Sequence, residues 1–372
     1  MTNSLRSHSV LNPTSCGPDS DLEYVVCDYC GTDRTRRLAT LPPPARLPLP
    51  MHRLGASVLR LGEERIHFCQ CQTCDLVYMN PRLTETAIAR FYDKVYGTRG
   101  ASEGFESDQQ ARATHILDMA DRLLAVTEAQ PSAESAARST PVQVLDIGCG
   151  AGQLLQEAQR RGWQVMGTEL SQVAARHASQ VLGVPIHCGD FRELELPAGS
   201  LDVVVMQAVV EHLRAPVDFL RDSAALLRPG GVLFFSVPNV ASAEHRVARL
   251  LGQTWRGFII EHLYYFTPAF VRRLLADLGL EAGFMSSWNP LARWPNPLHD
   301  IQQMRRKGPA STPTSAAGQT PPLSLPATSF GRRVLRQANN YLLDAVSRAS
   351  EGRRGRTGTA GNTLFVWARK PR

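Results

Sequence analysis

Residues 142–288 alternate between short apolar runs and amphipathic segments. The apolar runs are rich in Val, Ile and Leu, as buried parallel strands are. The segments between them place apolar residues three and four positions apart, which is typical of helices that pack on a sheet. This alternation predicts an α/β fold with a doubly wound parallel sheet. The predicted strands span residues 142–147, 164–168, 185–187, 201–206, 232–237 and 280–288.

Helical periodicity marks segments within this region and on both sides of it. The predicted helices include residues 83–96, 109–126, 217–227, 270–278 and 334–346. We expect Pro229, followed by Gly230 and Gly231, to end the helix at 217–227 before the fifth strand. The run Thr-Leu-Phe-Val-Trp-Ala at 363–368 predicts a final strand.

Composition divides the chain into six parts. Polar residues with Pro, Gly and Ser dominate the start, and residues 309–326 are low in complexity. The predicted parts are a disordered tail (1–22), a cysteine-bearing β-module (23–81) with an exposed proline-rich loop (41–50), a helical connector (82–140), the α/β core (141–290), a low-complexity insertion (291–330), and a C-terminal helix and strand (331–372).

With 372 residues, 43% of them hydrophobic and 20% charged, the chain can bury a sizeable core. The apolar runs fall short of the roughly 18 residues that span a bilayer, and residues 1–20 lack a secretion signal. We therefore expect a cytoplasmic protein without a transmembrane segment. The net charge of +7 is spread over a long chain and predicts a solvated basic surface, and the same holds for the basic residues at 305–307, 332–336 and 353–356 around the predicted C-terminal helix. Contact with nucleic acid or an anionic membrane surface is the alternative.

Four cysteines form two CxxC pairs: Cys27 with Cys30, and Cys71 with Cys74. Four thiolates satisfy a tetrahedral structural site, so we predict Zn²⁺ bound by these residues. Gly31 after the first pair, and Asp75 after the second, suit the left-handed turn that aims backbone N–H groups at sulfur. Cys69 is a competing ligand, and a set of buried free thiols is the alternative to a metal site.

Residues 144–152 read Val-Leu-Asp-Ile-Gly-Cys-Gly-Ala-Gly, a strand that runs into a glycine turn. The spacing is G-x-G-x-G, and Gln153 stands where a dinucleotide site has its third glycine. Asp146 precedes the turn by two positions. A carboxylate there repels a pyrophosphate but suits an ammonium or sulfonium group, which disfavours a nicotinamide oxidoreductase. The segment resembles the class I S-adenosylmethionine (SAM)-dependent methyltransferases.

This resemblance extends from residue 142 to about residue 280, and it implies SAM as cofactor and a Rossmann-like sheet of about seven strands, the last antiparallel. It assigns the methionine part of SAM to four residues at the first strand and its turn: Asp146, Gly148, Gly150 and Gly152. The run at 363–368 looks like the antiparallel strand that ends the sheet in this family.

The same resemblance assigns the nucleoside part of SAM. Glu169 matches the acid that binds the ribose in this family; it lies 23 positions after Asp146, near the roughly 20-residue offset expected. Leu170 follows it in the predicted site. Asp190 and Phe191 match the positions that contact adenine.

Two histidines are candidates for the base that removes a proton from the acceptor, because a histidine pKa lies near working pH. His212 follows the fourth strand, and Gln207 at that strand's carboxyl end is expected near the methionine part of SAM. His262 lies in Glu-His-Leu-Tyr-Tyr-Phe. Packing or hydrogen bonding is the alternative role for both histidines. Glu211-His212 resembles part of the Glu-x-x-Glu-His metal motif of quinone O-methyltransferases, but Ala208 replaces the first acid, so we expect no complete catalytic metal site.

The cysteine module continues into Val-Tyr-Met-Asn-Pro-Arg at 77–82. This resembles the amino-terminal zinc ribbon of many bacterial methyltransferases that act on sugars and secondary metabolites. The chain lacks the Asn/Asp-Pro-Pro-aromatic motif of nucleic-acid amino methyltransferases, which disfavours nucleic acid as a partner. We predict a SAM-dependent methyltransferase that acts on oxygen or carbon of a small-molecule acceptor, a sugar or secondary metabolite. The alternative is a non-catalytic SAM-binding scaffold or regulator whose ribbon docks a partner.

Overall fold

The computed structural model describes residues 14–15, 20–41, 43, 56–61, 63–96, 106–128, 140–287, 342, 346 and 359–372. Several sequence predictions lie wholly or mainly outside these residues. They are the proline-rich loop at 41–50, the end of the connector, the insertion at 291–330, the C-terminal helix at 334–346 and the basic cluster.

A small β-module precedes the core. Its strands are β1 (Thr14–Ser15), β2 (Leu22–Tyr24), β3 (Thr35–Thr40), β4 (His67–Cys71), β5 (Val77–Met79) and β6 (Arg82–Leu83). Strands β1, β2 and β6 form one antiparallel sheet, and β3, β4 and β5 belong to a second. The polar composition predicts disorder through residue 22, and this is wrong at the end of the tail. β1 pairs with β2, and Asp21 and Leu22 are buried, because the edge of β2 offers backbone hydrogen bonds.

Two helices, α1 (Glu85–Tyr96) and α2 (Glu106–Glu128), follow the module near the predicted positions. The core then alternates strands and helices. Its elements are β7 (Gln143–Ile147), α3 (Gln153–Arg160), β8 (Gln164–Thr168), α4 (Gln172–Leu182), β9 (Leu201–Met206), α5 (Pro216–Leu226), β10 (Leu227–Pro238), α6 (Ala243–Leu250), β11 (Tyr264–Tyr265), α7 (Pro268–Asp277), β12 (Glu281–Ser286) and β13 (Thr363–Arg369). None of the described helices is long and apolar enough to cross a membrane.

Among the described residues, the central sheet has the order β12-β13-β10-β9-β7-β8. Strands β8, β7, β9 and β10 run parallel, and β13 is antiparallel to both of its neighbours. A parallel bridge between Thr168 and His187 adds a seventh position at the β8 edge, where the sequence predicts the third strand. These findings confirm the Rossmann-like α/β fold with an antiparallel final strand.

The boundary between α5 and β10 differs from the prediction. The helix ends at Leu226, before Pro229, and the Pro-Gly-Gly segment lies inside the strand. The register against β9 shifts between Leu227 and Val232, so the extra residues form a bulge. Proline and glycine are tolerated at such irregular positions of a strand. The helix thus ends just before this segment, within one residue of the predicted position, and the proline and glycines also shape the start of β10.

Both faces of the central sheet are covered. All six residues of β9 are buried. Val203 belongs to the apolar cluster of Leu155 on one face, and Val204 belongs to that of Leu220 on the other. A parallel sheet buried in this way leaves the carboxyl ends of its strands as the edge at which ligands bind.

Buried charge ties the module to the core. The Arg82 side chain is 7% exposed, and its Nε donates to Glu23 Oε1 at 2.8 Å. Its Nη1 donates to the Arg214 carbonyl at 3.0 Å. The Arg214 guanidinium pairs with the same Glu23 carboxylate. Because removing one member would leave buried charge without a partner, this network fixes how the module sits on the core.

The module's second sheet is completed by a strand from the core. β11 pairs antiparallel with β5, with Tyr264 opposite Tyr78. The first CxxC segment contacts α5 as well, where the Val217 N–H donates to Asp28 Oδ2 at 3.2 Å. These contacts bring the loop that carries His262 against the module.

Candidate active site

The glycine turn joins β7 to α3 at the ligand-binding edge of the sheet. Gly148, Gly150 and Gly152 have φ angles of 75°, 56° and 85°, a region that side chains rarely adopt. A Cβ atom on Gly148 would lie 2.6 Å from Val209 Cγ2, whereas one on Gly150 would meet nothing within 4 Å. The Val209 side chain therefore packs against the turn at Gly148, whereas the space beside Gly150 is open.

Asp146 lies in β7, two residues before this turn, and is 4% exposed. Burial raises the pKa of its carboxyl group to about 7, and the nearby Glu169 charge adds to the effect. A positive charge bound beside Asp146 would favour the ionised form of its carboxyl group.

Glu169 follows β8 and links that strand to the turn. Its Oε2 accepts the Gly150 N–H at 2.9 Å, and its Oε1 accepts the Ser171 N–H at 2.9 Å. Each carboxylate oxygen has a further lone pair, so the group can still accept hydrogen bonds from two hydroxyls. The neighbouring Leu170 is 80% exposed and offers an apolar surface beside it.

The segment after the third strand position contains the two predicted adenine contacts. Asp190 is half-buried, and its Oδ1 accepts the Arg192 N–H at 2.9 Å, which caps a short 3₁₀ turn. Phe191 is only 3% exposed, and its ring packs edge-on against Phe219 with centroids 4.9 Å apart. Most of the Phe191 ring is buried in the core. A contact between this ring and adenine stays a prediction.

Gln207 lies half-buried at the carboxyl end of β9. Ala208 follows in the left-handed region with φ of 54°, and its N–H donates to Ser236 Oγ at 2.9 Å. Backbone strain at a residue with a Cβ atom is common beside functional sites. Sequence reasoning missed this feature, because alanine gives no local indication of a left-handed conformation.

These residues fit SAM. The open turn leaves room at Gly150, and the two carboxylates beside it suit a cationic ligand. The Asp146 carboxylate, two positions before the turn, would repel a pyrophosphate, the group that a helix amino terminus binds in dinucleotide sites.

A second candidate group, formed by Glu211, His212 and His262, lies where the loop before β11 meets the segment after β9. Leu263 N–H donates to the Glu211 carbonyl at 2.8 Å. The rings of His212 and His262 have centroids 4.8 Å apart, and His262 Nε2 is 4.0 Å from Glu211 Oε1. The structure therefore brings together two histidines that are 50 positions apart in the sequence.

Hydrogen bonds orient His212. Its Nδ1 lies 3.0 Å from the Glu261 carbonyl and 2.8 Å from Tyr92 Oη. The carbonyl only accepts and so favours the neutral tautomer with its proton on Nδ1, in which Nε2 is the basic atom, whereas the Tyr92 hydroxyl can either accept from Nδ1 or donate to it. Sequence reasoning missed Tyr92, which comes from α1 and gave no motif.

Burial controls the protonation states of His212 and Glu211. It lowers the pKa of His212, although Glu261 acts in the opposite direction. It raises the pKa of Glu211 to about 8. Glu211 Oε2 has no hydrogen-bond partner within the described part of the chain. At neutral pH the group thus combines a neutral histidine with a protonated carboxyl.

Ligand atoms of Glu211, His212 and His262 all lie within 4.8 Å of one another, so the set could hold a divalent cation. Ala208, at the first acidic position of the quinone motif, contributes no ligand. The same three side chains could instead move a proton directly.

The four cysteines of the two CxxC pairs converge in the module. Sγ–Sγ distances are 3.3 Å between Cys27 and Cys74 and 3.5 Å between Cys30 and Cys71, and all four sulfurs lie within 4.8 Å of one another. This spacing suits a tetrahedral zinc site. Cys69 lies apart from the set, with its Sγ 3.7 Å from the Asn80 carbonyl.

The turns after both cysteine pairs have the expected geometry. Gly31 has a φ of 71° and Asp75 a φ of 63°. The N–H groups of Thr73 and Cys74 both point at Cys71 Sγ, each at 3.4 Å. Such N–H bonds favour a thiolate, the form that binds a metal.

The parallel sheet, the glycine turn and the acidic pair together define the class of Rossmann-like methyltransferases. The profile of the methyltransferase domain matches residues 111–282. The chain is 32% identical over 166 residues to the ubiquinone biosynthesis O-methyltransferase of Chromobacterium violaceum, covering 41% of this chain and 70% of that protein. The chain therefore belongs to the methyltransferase family.

Other relatives match over shorter shares of their length. The enzyme of the same name from Parvibaculum lavamentivorans is 30% identical over 165 residues, 41% of this chain and 65% of that protein. The one from Coxiella burnetii is 37% identical over 101 residues, 26% of this chain and 43% of that protein. Among solved structures, the plantazolicin methyltransferase BpumL has 15% identity and a TM-score of 0.42, covering 77% of this chain and 94% of that chain.

Proposed function

We propose that the chain is a SAM-dependent methyltransferase that methylates an oxygen or carbon atom of a small molecule. The observation that carries this proposal is the buried Asp146 carboxylate at an open glycine turn, because a negative charge there favours a cationic donor over a pyrophosphate. When bound, SAM supplies a methyl group on a positively charged sulfur and leaves as a neutral thioether. Asp146 and the turn would hold its methionine part, and Glu169 would accept hydrogen bonds from its ribose hydroxyls.

The chain's own contribution to the acceptor is proton removal and positioning. His212 presents Nε2 as a base, since its Nδ1 proton is directed at the Glu261 carbonyl. His262 is the second candidate, 4.0 Å from Glu211. A hydroxyl or an acidic carbon is the acceptor group that such a base suits.

The acceptor class rests on two supports. The relatives named above are O-methyltransferases of ubiquinone biosynthesis, which supports an oxygen acceptor on a small molecule. The ribbon-like module supports an acceptor among sugars and secondary metabolites. We also propose that Cys27, Cys30, Cys71 and Cys74 bind a structural Zn²⁺ and that the chain acts in the cytoplasm.

Two measurements test the function. Calorimetric titration should show binding of SAM and of its demethylated product, and no binding of NADH. Protein incubated with methyl-labelled SAM and fractionated cell metabolites should transfer label to a small molecule, to be identified by mass spectrometry. SAM binding without transfer to any fraction would favour a non-catalytic scaffold, and NADH binding alone would reject the site assignment.

A further inference from the structure

A cavity of about 450 Å³ separates the module from α6. Arg36 of β3 and Gln70 of β4 line one side of it, and Arg249 of α6 lines the other. Trp255, Phe258 and His245 form its aromatic wall. This size lies within the range of pockets that bind small organic molecules.

The cavity has a positive rim. Its described lining includes two arginines and neither Asp nor Glu. Arg36 donates to the neutral Gln70 side chain at 2.7 Å. The acidic residue of α6, Glu244, is 3% exposed and pairs with Arg256 at 3.1 Å, so its charge is already compensated. The rim therefore attracts an anion.

The aromatic wall offers an unused hydrogen-bond donor. Trp255 is 2% exposed, and its Nε1–H has no acceptor among the residues that the structure describes. One face of the indole stacks on His245, with centroids 5.3 Å apart, and a Cβ on Gly257 would lie 2.4 Å from the indole ring. Because an unpaired buried donor is costly, a small shift of the wall that lets a ligand oxygen in the cavity reach this N–H is favoured.

We propose that this cavity binds an organic anion, a carboxylate or phosphate carried on a flat apolar body. The arginines recognise the charge, Trp255 Nε1–H donates to an acceptor on the ligand, and Phe258 with the aliphatic lining receives the body. The inference goes beyond the proposed methyl transfer and does not depend on it. The organic anion that occupies the cavity is either the methyl acceptor itself or a separate effector.

The cavity adjoins the candidate site. Val240 lines it and lies two residues beyond the carboxyl end of β10. Phe258 packs on Tyr265 with ring centroids 5.0 Å apart. The ring centroids of Tyr265 and His262 are 5.9 Å apart. One aromatic ring thus connects the cavity wall to the candidate base.

The binding test uses phenyl phosphate as the probe, benzamide as a neutral ring and inorganic phosphate as an anion without a ring. The readout is the indole N–H resonance of Trp255, assigned with the Trp255→Phe variant. We expect phenyl phosphate to shift this resonance and to bind more tightly than either control. Combining Arg36→Gln with Arg249→Gln should weaken binding roughly tenfold or more.

Arg272→Gln is the matched control, since Arg272 is exposed on α7 and outside the cavity lining. It should leave phenyl phosphate binding unchanged, and thermal unfolding should show that all variants fold. Equal binding of benzamide and phenyl phosphate, an unmoved Trp255 resonance, or full binding by the double variant would overturn the inference.

A further arm separates the two sources of the anion. In the labelled-methyl screen, the double variant should need more metabolite extract for half-maximal transfer if the acceptor occupies the cavity. Transfer should keep its dependence on extract concentration if a separate effector does. SAM titration of the double variant distinguishes the two proposals, because intact SAM binding with no phenyl phosphate binding removes this inference alone.

Discussion

At the scale of single residues, Glu169 connects the end of β8 to the glycine turn by accepting the Gly150 N–H, and we propose that it binds the ribose. Glu169→Ala should weaken SAM binding by about 1 to 3 kcal/mol, because charge-assisted hydrogen bonds to the ribose are lost. Glu169→Gln should lose less, since an amide oxygen still accepts one bond. Calorimetry would measure both, with Glu281→Gln on the exposed β12 edge as the control. Unchanged affinity of the alanine variant would remove this assignment.

Asp146 gives a prediction in which stability and function change in opposite directions. Its folded pKa of about 7 exceeds the ordinary value of 3.8, so its contribution to stability is present below pH 3.8 and is lost as pH rises toward 7. Asp146→Asn should therefore stabilise the ligand-free protein at pH 8 by on the order of 2 to 4 kcal/mol, and little at pH 4.

Chemical denaturation at the two pH values checks this prediction, and SAM titration completes it. The asparagine variant should bind SAM more weakly, because the neutral amide no longer attracts the cation. Equal stability of variant and wild type at pH 8 would contradict the burial argument.

The candidate bases make a prediction about pH. Burial lowers the pKa of His212, and a base must be neutral to act, so turnover should fall only as pH drops below about 6.5, the ordinary histidine value. His212→Gln should reduce turnover by roughly 10²- to 10⁴-fold and remove this acid limb. The exposed His177→Gln serves as control. An acid limb that survives in His212→Gln and disappears in His262→Gln would transfer the role to His262.

At the scale of elements, the turn between β7 and α3 separates two causes of glycine dependence. Gly148 and Gly162 have nearly equal φ angles, 75° and 77°. Only Gly148 would place a Cβ atom within 4 Å of another residue, at 2.6 Å from Val209. Gly162→Ala should thus cost about 1 kcal/mol from backbone strain alone, and Gly148→Ala roughly 1 to 3 kcal/mol more.

Urea denaturation of the two alanine variants provides the comparison. Adding Val209→Ala to Gly148→Ala should recover part of the extra loss, because it removes the clashing methyl groups. Equal destabilisation by both glycine substitutions would show that the turn is not packed as described.

Elements also show where sequence reasoning succeeded. The strands of the parallel sheet were predictable because their apolar runs are continuous and each ends in a turn residue. The helix end before Pro229 was predictable, but the place of the proline and two glycines in a bulged strand was missed, because these residues are compatible with both roles. The pairing of β11 with β5 had no sequence indication, since it joins residues nearly two hundred positions apart.

For the molecule as a whole, the zinc site should control how the module sits on the core. Elemental analysis of protein purified without added metal should give about one zinc per chain. Cys71→Ser should lose the metal and lower the melting temperature. Cys69→Ser, two positions away on β4 and outside the cluster, should keep the zinc. An absence of metal in the wild-type protein would end this assignment.

Loss of zinc should reach beyond the module. Asp28 accepts the Val217 N–H at the start of α5, and the Cys74 carbonyl accepts a bond from Arg273 of α7. We expect Cys71→Ser to impair methyl transfer more than SAM binding, because Asp146, the glycine turn and Glu169, which we propose to bind SAM, lie at β7 and β8, outside these contacts. Comparing the two measurements on one preparation checks this expectation.

Across the whole chain, the positions of the residues that we propose to bind SAM were predictable because they lie at or just after strands with a clear apolar pattern, and their contacts with SAM stay a prediction. His212 and His262 were each predicted from the sequence as a candidate base. Their closeness in space was not predictable, because it depends on how the loop before β11 folds back. Tyr92 and Ala208 were missed because their roles arise from orientation and backbone angle. The cavity at Arg36 and Arg249 was also missed, since its walls come from separate parts of the chain.

The shared sheet formed by β5 and β11 has an evolutionary consequence. The module's edge is built with a segment of the catalytic half, and that segment also bears His262. Exchanging the module between relatives by recombination would therefore disturb the loop that carries His262, one of the two candidate bases. We expect the two halves to have been inherited as one unit, and chimaeras cut near residue 84 to need compensating changes at residues 261–266.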